Sequence, residues 1–206
     1  MARRSARGFT LLEMMMVVAI GAILAAMGGS AFLGLLRTNR ANSTTRSVLT
    51  MLRSARTRAM TAVCPHFVQI NGRAYAGPVG SPNRPATIYL VRKGFCASSN
   101  MFFEAGDRVM DSTALGPDGL PASVDLFVPA TVVGSGVLVS ESIVVGYGVE
   151  GALPVTAGQL NIPVDTGSGF SVVATAGPLT LTAQSPSDAN AHSSVVVPSV
   201  GTPSIL

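Results

Sequence analysis

Charged side chains are scarce in this sequence, and tryptophan is absent. Charged residues make up 12% of the 206 positions, where a soluble domain has about 25%. Hydrophobic residues make up 48%. This composition predicts a membrane segment, a β-rich domain of small and β-branched residues, or both, and the sequence contains stretches of both kinds.

Acidic residues are missing from a long part of the chain. Between Glu13 and Glu104 there is no acid, but there are nine arginines and one lysine. From Glu104 onward there are nine acids and a single base, Arg108. Such a separation of charge indicates that the two ends of the molecule have different tasks.

The residues that usually carry catalysis are also few. The sequence has two histidines, His66 and His192, but no G-x-S-x-G nucleophile motif that either could assist. It also has no glycine-rich segment followed by the lysine that would hold a phosphate. Two cysteines outside any CxxC pair do not predict a zinc site. The sequence therefore predicts neither an enzyme nor a cofactor or metal site.

Cys64 and Cys96 leave two alternatives open. In an oxidising compartment they could form a disulfide, which would contribute about 3–4 kcal/mol on the chain-entropy model. They could equally be two unpaired buried thiols.

A long apolar run lies close to the N-terminus. Residues 14–36 contain no charge, and as a helix they would rise about 34 Å, enough to cross a hydrocarbon core of about 30 Å. Arg3, Arg4 and Arg7 precede the run, which favours a cytoplasmic N-terminus.

Glu13 is not explained by the two simplest interpretations of this apolar run, a secretory signal and a membrane anchor. The run is too long for an ordinary secretory signal, and a plain membrane anchor does not explain a carboxylate in its first turn. A glutamate that only reaches to the membrane surface is the plain alternative.

The residues around Glu13 supply a more specific explanation. Gly8-Phe9-Thr10-Leu11-Leu12-Glu13, behind a basic leader and before a long apolar helix, resembles the processing site of type IV pilins and type II secretion pseudopilins. The resemblance implies cleavage between Gly8 and Phe9 by a prepilin peptidase and N-methylation of Phe9. It also implies that Glu13 faces the terminal amine of a neighbouring subunit during assembly.

The apolar pattern continues after the membrane segment. Val48, Leu52, Ala55, Ala59 and Ala62 recur at spacings of four and three, which predicts an amphipathic helix packed on a domain. Pro65 predicts that this helix ends near Val63. Residues 45–72, in which a helix rich in Leu, Ala and Arg runs into a strand, resemble the GspH/FimT group of minor pilins and pseudopilins. That likeness implies a tip or initiating subunit.

The remaining sequence predicts a β-rich head, and the fold class is α+β: a long N-terminal helix packed on an antiparallel sheet. The predicted domains are a cleaved leader (1–8), a transmembrane assembly helix (9–36), an amphipathic helix (37–63) and the head (64–206), whose tail from residue 185 is partly mobile. Asn71-Gly72 predicts a tight hairpin turn. The strands are expected at 67–70, 87–91, 124–128, 137–145, 160–164, 170–175 and 179–183.

The resemblance also implies location and partners. The chain is expected in the bacterial inner membrane, with its head in the periplasm, and later in a pilus or pseudopilus. Its expected partners are the prepilin peptidase, other pilin or pseudopilin subunits, an inner-membrane assembly platform and membrane lipid.

Nucleic acid is not an expected partner. The alternative is a DNA-binding minor pilin acting in DNA uptake, with contacts from Arg73, Arg84, Arg92 and Lys93. The absence of aromatic residues between the helix arginines, and of basic residues after Arg108, weighs against it.

Overall fold

The computed structural model describes residues 9–72, 75, 77, 82–98, 100–114, 125–127, 142–153, 155–156, 159–165, 170–175 and 178–206. The chain divides into two compact units, Met1–Leu36 and Arg37–Leu206.

One helix and eleven strands are found among the described residues. The helix, α1, is Leu11–Ala62. The strands are β1 His66–Asn71, β2 Thr87–Arg92, β3 Arg108–Ala114, β4 Asp125–Phe127, β5 Ser142–Tyr147, β6 Val155–Thr156, β7 Gln159–Asp165, β8 Phe170–Thr175, β9 Leu179–Ser185, β10 Asp188–Val197 and β11 Ser204–Ile205.

The strands form two antiparallel sheets. In the first sheet the order is β3-β2-β1-β5-β7-β6, and β8 pairs with β7. In the second sheet the order is β11-β10-β9-β4. The predicted α+β class, with a long N-terminal helix and antiparallel sheets, is confirmed.

The C-terminal end of α1 is closed by a left-handed residue. Val63 has a φ of 48°, and the amide of Cys64 donates to the carbonyl oxygen of Ala59 at 3.3 Å. This is the hydrogen bond of a Schellman cap, in which the left-handed position is usually glycine. Pro65 follows and prevents the helix from continuing. The predicted end near Val63 is confirmed.

One face of α1 supplies part of the main core. Val48, Leu52, Ala55 and Ala59 are fully buried, as their spacing predicted. Ala62, assigned to the same stripe, is exposed because it is the last residue of the helix. The rest of the core comes from the first sheet (Val68, Ile70, Ile88, Leu90, Ile143, Val145) and the second (Leu179, Leu181, Ala183, Val195, Val197).

The central strands of the first sheet are buried on both faces. In β1, Val68 and Ile70 point into the main core, while Phe67 belongs to a second cluster with Tyr89, Val91, Met101 and Val144. Met101 comes from the β2–β3 loop. That loop therefore covers the face of the sheet that α1 does not contact.

Polar contacts fix α1 to segments far along the chain. Arg53 donates through Nε and Nη2 to the carbonyl oxygen of Pro203, at 3.2 and 3.0 Å. Arg56 Nε donates to the carbonyl oxygen of Gly151 at 2.9 Å. Two of the helix arginines thus bind backbone carbonyl oxygens of the head.

Three local predictions were wrong or incomplete. The sequence missed β3, β6, β10 and β11, and β10 places Val195 and Val197 in the core where a partly mobile tail was expected. Asn71 does not make a tight turn, because β1 and β2 are joined by residues 72–86. The side-chain Nδ2 of Asn71 donates to the carbonyl oxygens of Pro82 and Arg84. A longer connection, held by the Asn71 side chain, is therefore found where a tight turn was predicted.

We expect Val63→Gly to stabilise the protein by about 1 kcal/mol, because a β-branched residue in the left-handed region is strained and glycine is not. The measurement is thermal unfolding of the full chain in detergent, followed by circular dichroism. Ala62→Gly is the matched control: Ala62 is still helical, so glycine there should destabilise by up to about 1 kcal/mol. The same sign for both variants would contradict the capping role of Val63.

Candidate functional site

The N-terminal part of α1 presents apolar side chains without a core of its own. Its most apolar 18-residue window has a mean hydropathy of 2.2, and none of that window is buried. Phe9 is 77% exposed and Leu11 79%. An apolar surface of this size must be covered by lipid or by other protein chains.

Glu13 lies at the start of this segment, in the first turn of α1. The hydroxyl oxygen of Thr10 accepts a hydrogen bond from the Glu13 amide at 3.3 Å, and the Thr10 carbonyl oxygen accepts from the amides of Glu13 and Met14 at 3.1 and 3.3 Å. Thr10 is therefore the N-cap of the helix. Thr10-Leu11-Leu12-Glu13 has the spacing of a capping box, a signal that was readable in the sequence but was not used.

The cap places a negative charge where it can act on a neighbour. Glu13 is exposed, and its side chain lies three residues from the helix start, where the helix dipole favours a carboxylate. It is also the one acid before Glu104. The geometry can therefore attract an amine from another molecule into an otherwise apolar surface.

Cys64 and Cys96 are joined by a disulfide. Cys64 is fully buried directly after α1, and Cys96 lies in the β2–β3 loop. The bond connects the end of the helix to the loop that covers the second apolar cluster. Next to it, the amide of Lys93 donates to the carbonyl oxygen of Pro65 at 3.1 Å, which extends the pairing of β1 with β2.

The residues considered for nucleic-acid contact do not form one patch. Lys93 is buried and paired with Glu104 and Asp107, so it is not available to a phosphate. Arg84 and Arg92 are exposed, but Arg84 precedes β2 and Arg92 is its last residue, so a strand of about 17 Å separates them. Gly8 and Arg73 lie outside the described residues.

The described residues contain no group of His, Cys, Asp and Glu that could hold a metal ion. His66 is buried at the start of β1, and its Nδ1 lies 2.8 Å from the carbonyl oxygen of Cys64. Because a carbonyl oxygen can only accept, Nδ1 is the donor of this hydrogen bond. Burial lowers the pKa of His66. This histidine helps to fix the junction between helix and strand.

Comparisons with known proteins identify the N-terminal segment. A family model described as the prokaryotic N-terminal methylation motif matches residues 3–29. No curated protein and no solved structure matches the chain significantly. The matched range contains the basic leader, Gly8, Phe9, Glu13 and the first part of the exposed apolar helix. The chain therefore carries the prepilin signal of type IV pilin-like proteins.

Proposed function

We propose that this chain is a minor pilin or pseudopilin, a structural subunit that a prepilin peptidase processes and that assembles into a type IV pilus or type II secretion filament. The observation that carries the proposal is Glu13, a lone carboxylate at the capped start of an exposed apolar helix, inside the methylation motif. The rest of the molecule is a head packed on the same helix.

Cleavage before Phe9 changes the chemistry of the helix start. It removes Arg3, Arg4 and Arg7 and creates a free amine four residues before Glu13. The apolar segment stays on the mature chain because the cut precedes it. The three arginines place the N-terminus on the cytoplasmic side and the head in the periplasm.

Glu13 then sets the register between subunits. In hydrocarbon a carboxylate is costly unless an opposite charge pairs with it, and the Phe9 amine of an adjacent subunit provides that charge. At 4 Å and an effective dielectric constant of 20, such a pair gains about 4 kcal/mol before the cost of desolvation. Apolar contacts permit many registers, whereas a pair of charges selects one.

Residues 45–72 support assignment to the GspH/FimT group. In the structure α1 runs to Ala62 and the first strand begins at His66, which is the helix-to-strand junction that the resemblance implies. Membership would make the chain a tip or initiating subunit, present in few copies. The inner-membrane assembly platform, other subunits and lipid are its partners in this proposal.

The first prediction concerns processing. We expect the native N-terminus to be Phe9 carrying one additional methyl group, as mass spectrometry of the protein from its own membrane can determine. Gly8→Val should retain the leader, because a side chain at the scissile position restricts entry of the backbone into a protease site. A mature protein that still begins with Met1 would exclude the proposal.

The second prediction concerns assembly. We expect Glu13→Gln to leave insertion and cleavage intact and to reduce the subunit in the filament fraction roughly ten-fold, as a loss of about 1.4 kcal/mol in association would. Gln at this position keeps the polar capping partner but not the charge. The measurement is the ratio of subunit in sheared filaments to subunit in membranes.

Thr10→Ala is the matched control. It removes the N-cap hydroxyl, at a cost of about 1 kcal/mol to the helix start, but keeps the Glu13 charge. This variant should still enter filaments. If both variants assembled equally well, Glu13 would be only a helix cap, and its assigned role in assembly would be wrong.

A further inference from the structure

Lys93 is the only lysine in the chain, and the other thirteen basic residues are arginines. Its side chain is completely buried, and its ammonium lies 5.8 Å from the centre of the Phe67 ring. For a simple buried pair with carboxylates, arginine would supply more hydrogen bonds and lose its hydration more easily. A primary amine at this one position is a nucleophile that arginine cannot replace.

The amine is held against two carboxyl groups. Lys93 Nζ lies 2.9 Å from Asp107 Oδ2 and 2.9 Å from Glu104 Oε2, and it donates to the carbonyl oxygen of Phe102 at 2.9 Å. The Asp107 side chain is 3% exposed and that of Glu104 is 48% exposed. The ammonium is therefore fully coordinated, with one buried acid and one that reaches solvent.

The sheet fixes the amine and the buried acid opposite each other. β2 and β3 are antiparallel, and Arg92 pairs with Arg108. Lys93 and Asp107 are the next residues outward on the two strands. Because both flanking strands are paired, the reacting groups keep their distance without further ordering, which is the condition for a high effective concentration.

The Asp107 carboxyl group also receives two backbone hydrogen bonds. The Gly94 amide donates to Oδ1 at 2.8 Å, and the Glu104 amide donates to Oδ2 at 3.0 Å. A tight turn from Glu104 to Asp107, with Gly106 at a φ of 102°, aims the second amide. The Gly94 amide is placed to stabilise the negative charge that develops on Oδ1 under nucleophilic attack, and the Glu104 amide holds Oδ2 in position.

We propose that Lys93 and Asp107 condense to form an intramolecular isopeptide bond, with Glu104 as the proton carrier. A proton first passes from Lys93 Nζ to Asp107 Oδ2 along their hydrogen bond, which gives a neutral amine and a neutral acid. The amine lone pair then attacks Cγ of Asp107, and a C–N bond forms.

Glu104 completes the exchange. Its Oε2 accepts a proton from the new C–N nitrogen and returns it to Oδ2 of Asp107, which leaves as water while the negative charge on Oδ1 collapses to the carbonyl. One ammonium and one carboxylate become one amide and one water, so no oxidant or nucleotide is needed. The exposed side of Glu104 gives the water a path to solvent.

Burial favours the product. An ion pair away from water carries a desolvation cost for both charges, whereas an amide is neutral. The bond would close the base of the β2–β3 loop, which is already tied to Cys64 through Cys96. Unlike the disulfide, it does not respond to thiols.

Mass spectrometry of the full-length protein tests the bond. After purification in detergent, denaturation and reduction, we expect the wild-type chain to be lighter by one water than the mass calculated for its sequence with the same N-terminal processing. Lys93→Arg keeps the charge but lacks the amine, and it should have its full sequence mass, as should Asp107→Ala. Leader cleavage and methylation alter all of these chains alike. A wild-type chain at full mass would overturn the proposal.

The single lysine provides an independent measurement. An amine-specific reagent applied to the denatured wild-type chain should label the N-terminus alone. Labelling of Lys93 to the same extent as the N-terminus would overturn the bond, whatever the state of the leader.

Two further variants test whether Glu104 carries the proton: one changes Glu104 itself, and the other changes a neighbouring residue as a control. Glu104→Gln keeps a polar side chain of the same size and should leave the chain at full mass. Arg92→Met, at an exposed neighbouring position, should still lose one water. Complete bond formation in Glu104→Gln would overturn the role given to Glu104.

Discussion

The structure depends on an exposed apolar surface that has no partner within its own unit. Residues 9–36 present large apolar side chains outward, and this helical segment has no core of its own that could remove them from water. Lipid before assembly and other helices after it would both satisfy this requirement. Because these two environments are equally apolar, hydrophobicity alone cannot decide between them. A charged group such as Glu13 can make that choice, since hydrocarbon offers it no partner and a neighbouring amine does.

The head solves a different packing problem on the same helix. Ala41, Ala55 and Ala59 are fully buried, so small side chains bring the helix backbone close to the sheets. Larger residues such as Leu52 fill the remaining space. The opposite face of the first sheet is closed by a loop, which a disulfide and a buried cluster of charges hold in place. Two different covers thus bury β1 on both of its faces.

Strong periodic patterns in the sequence were sufficient for much of this fold. The four-and-three spacing of Val48, Leu52, Ala55 and Ala59 predicted the buried helix face. A strand was also predicted at 179–183, within the observed β9, where buried and partly exposed side chains alternate. β3 was missed because it is an edge strand with exposed side chains, so burial imposes no alternation on it. The polar beginning of β10 hid its apolar end in the same way.

The functional residues also differ in whether the sequence alone could identify them. Glu13 could be singled out from the sequence because a lone acid in an apolar run is conspicuous. The position of Lys93 could not, because its partners lie 11 and 14 residues away and meet it only through the turn and the register of β2 and β3. A basic residue in a loop normally predicts a solvated charge. In the folded protein, however, Lys93 is buried.

The polar anchors of α1 also constrain the order of biogenesis. Thr45 donates to the carbonyl oxygen of Ser193, 148 positions later, and Arg53 binds that of Pro203, 150 positions later. The helix is synthesised early, yet its docking face cannot be satisfied until residue 203 is present. Until then this face stays open, so the head can reach its final packing only after almost the whole chain has been made.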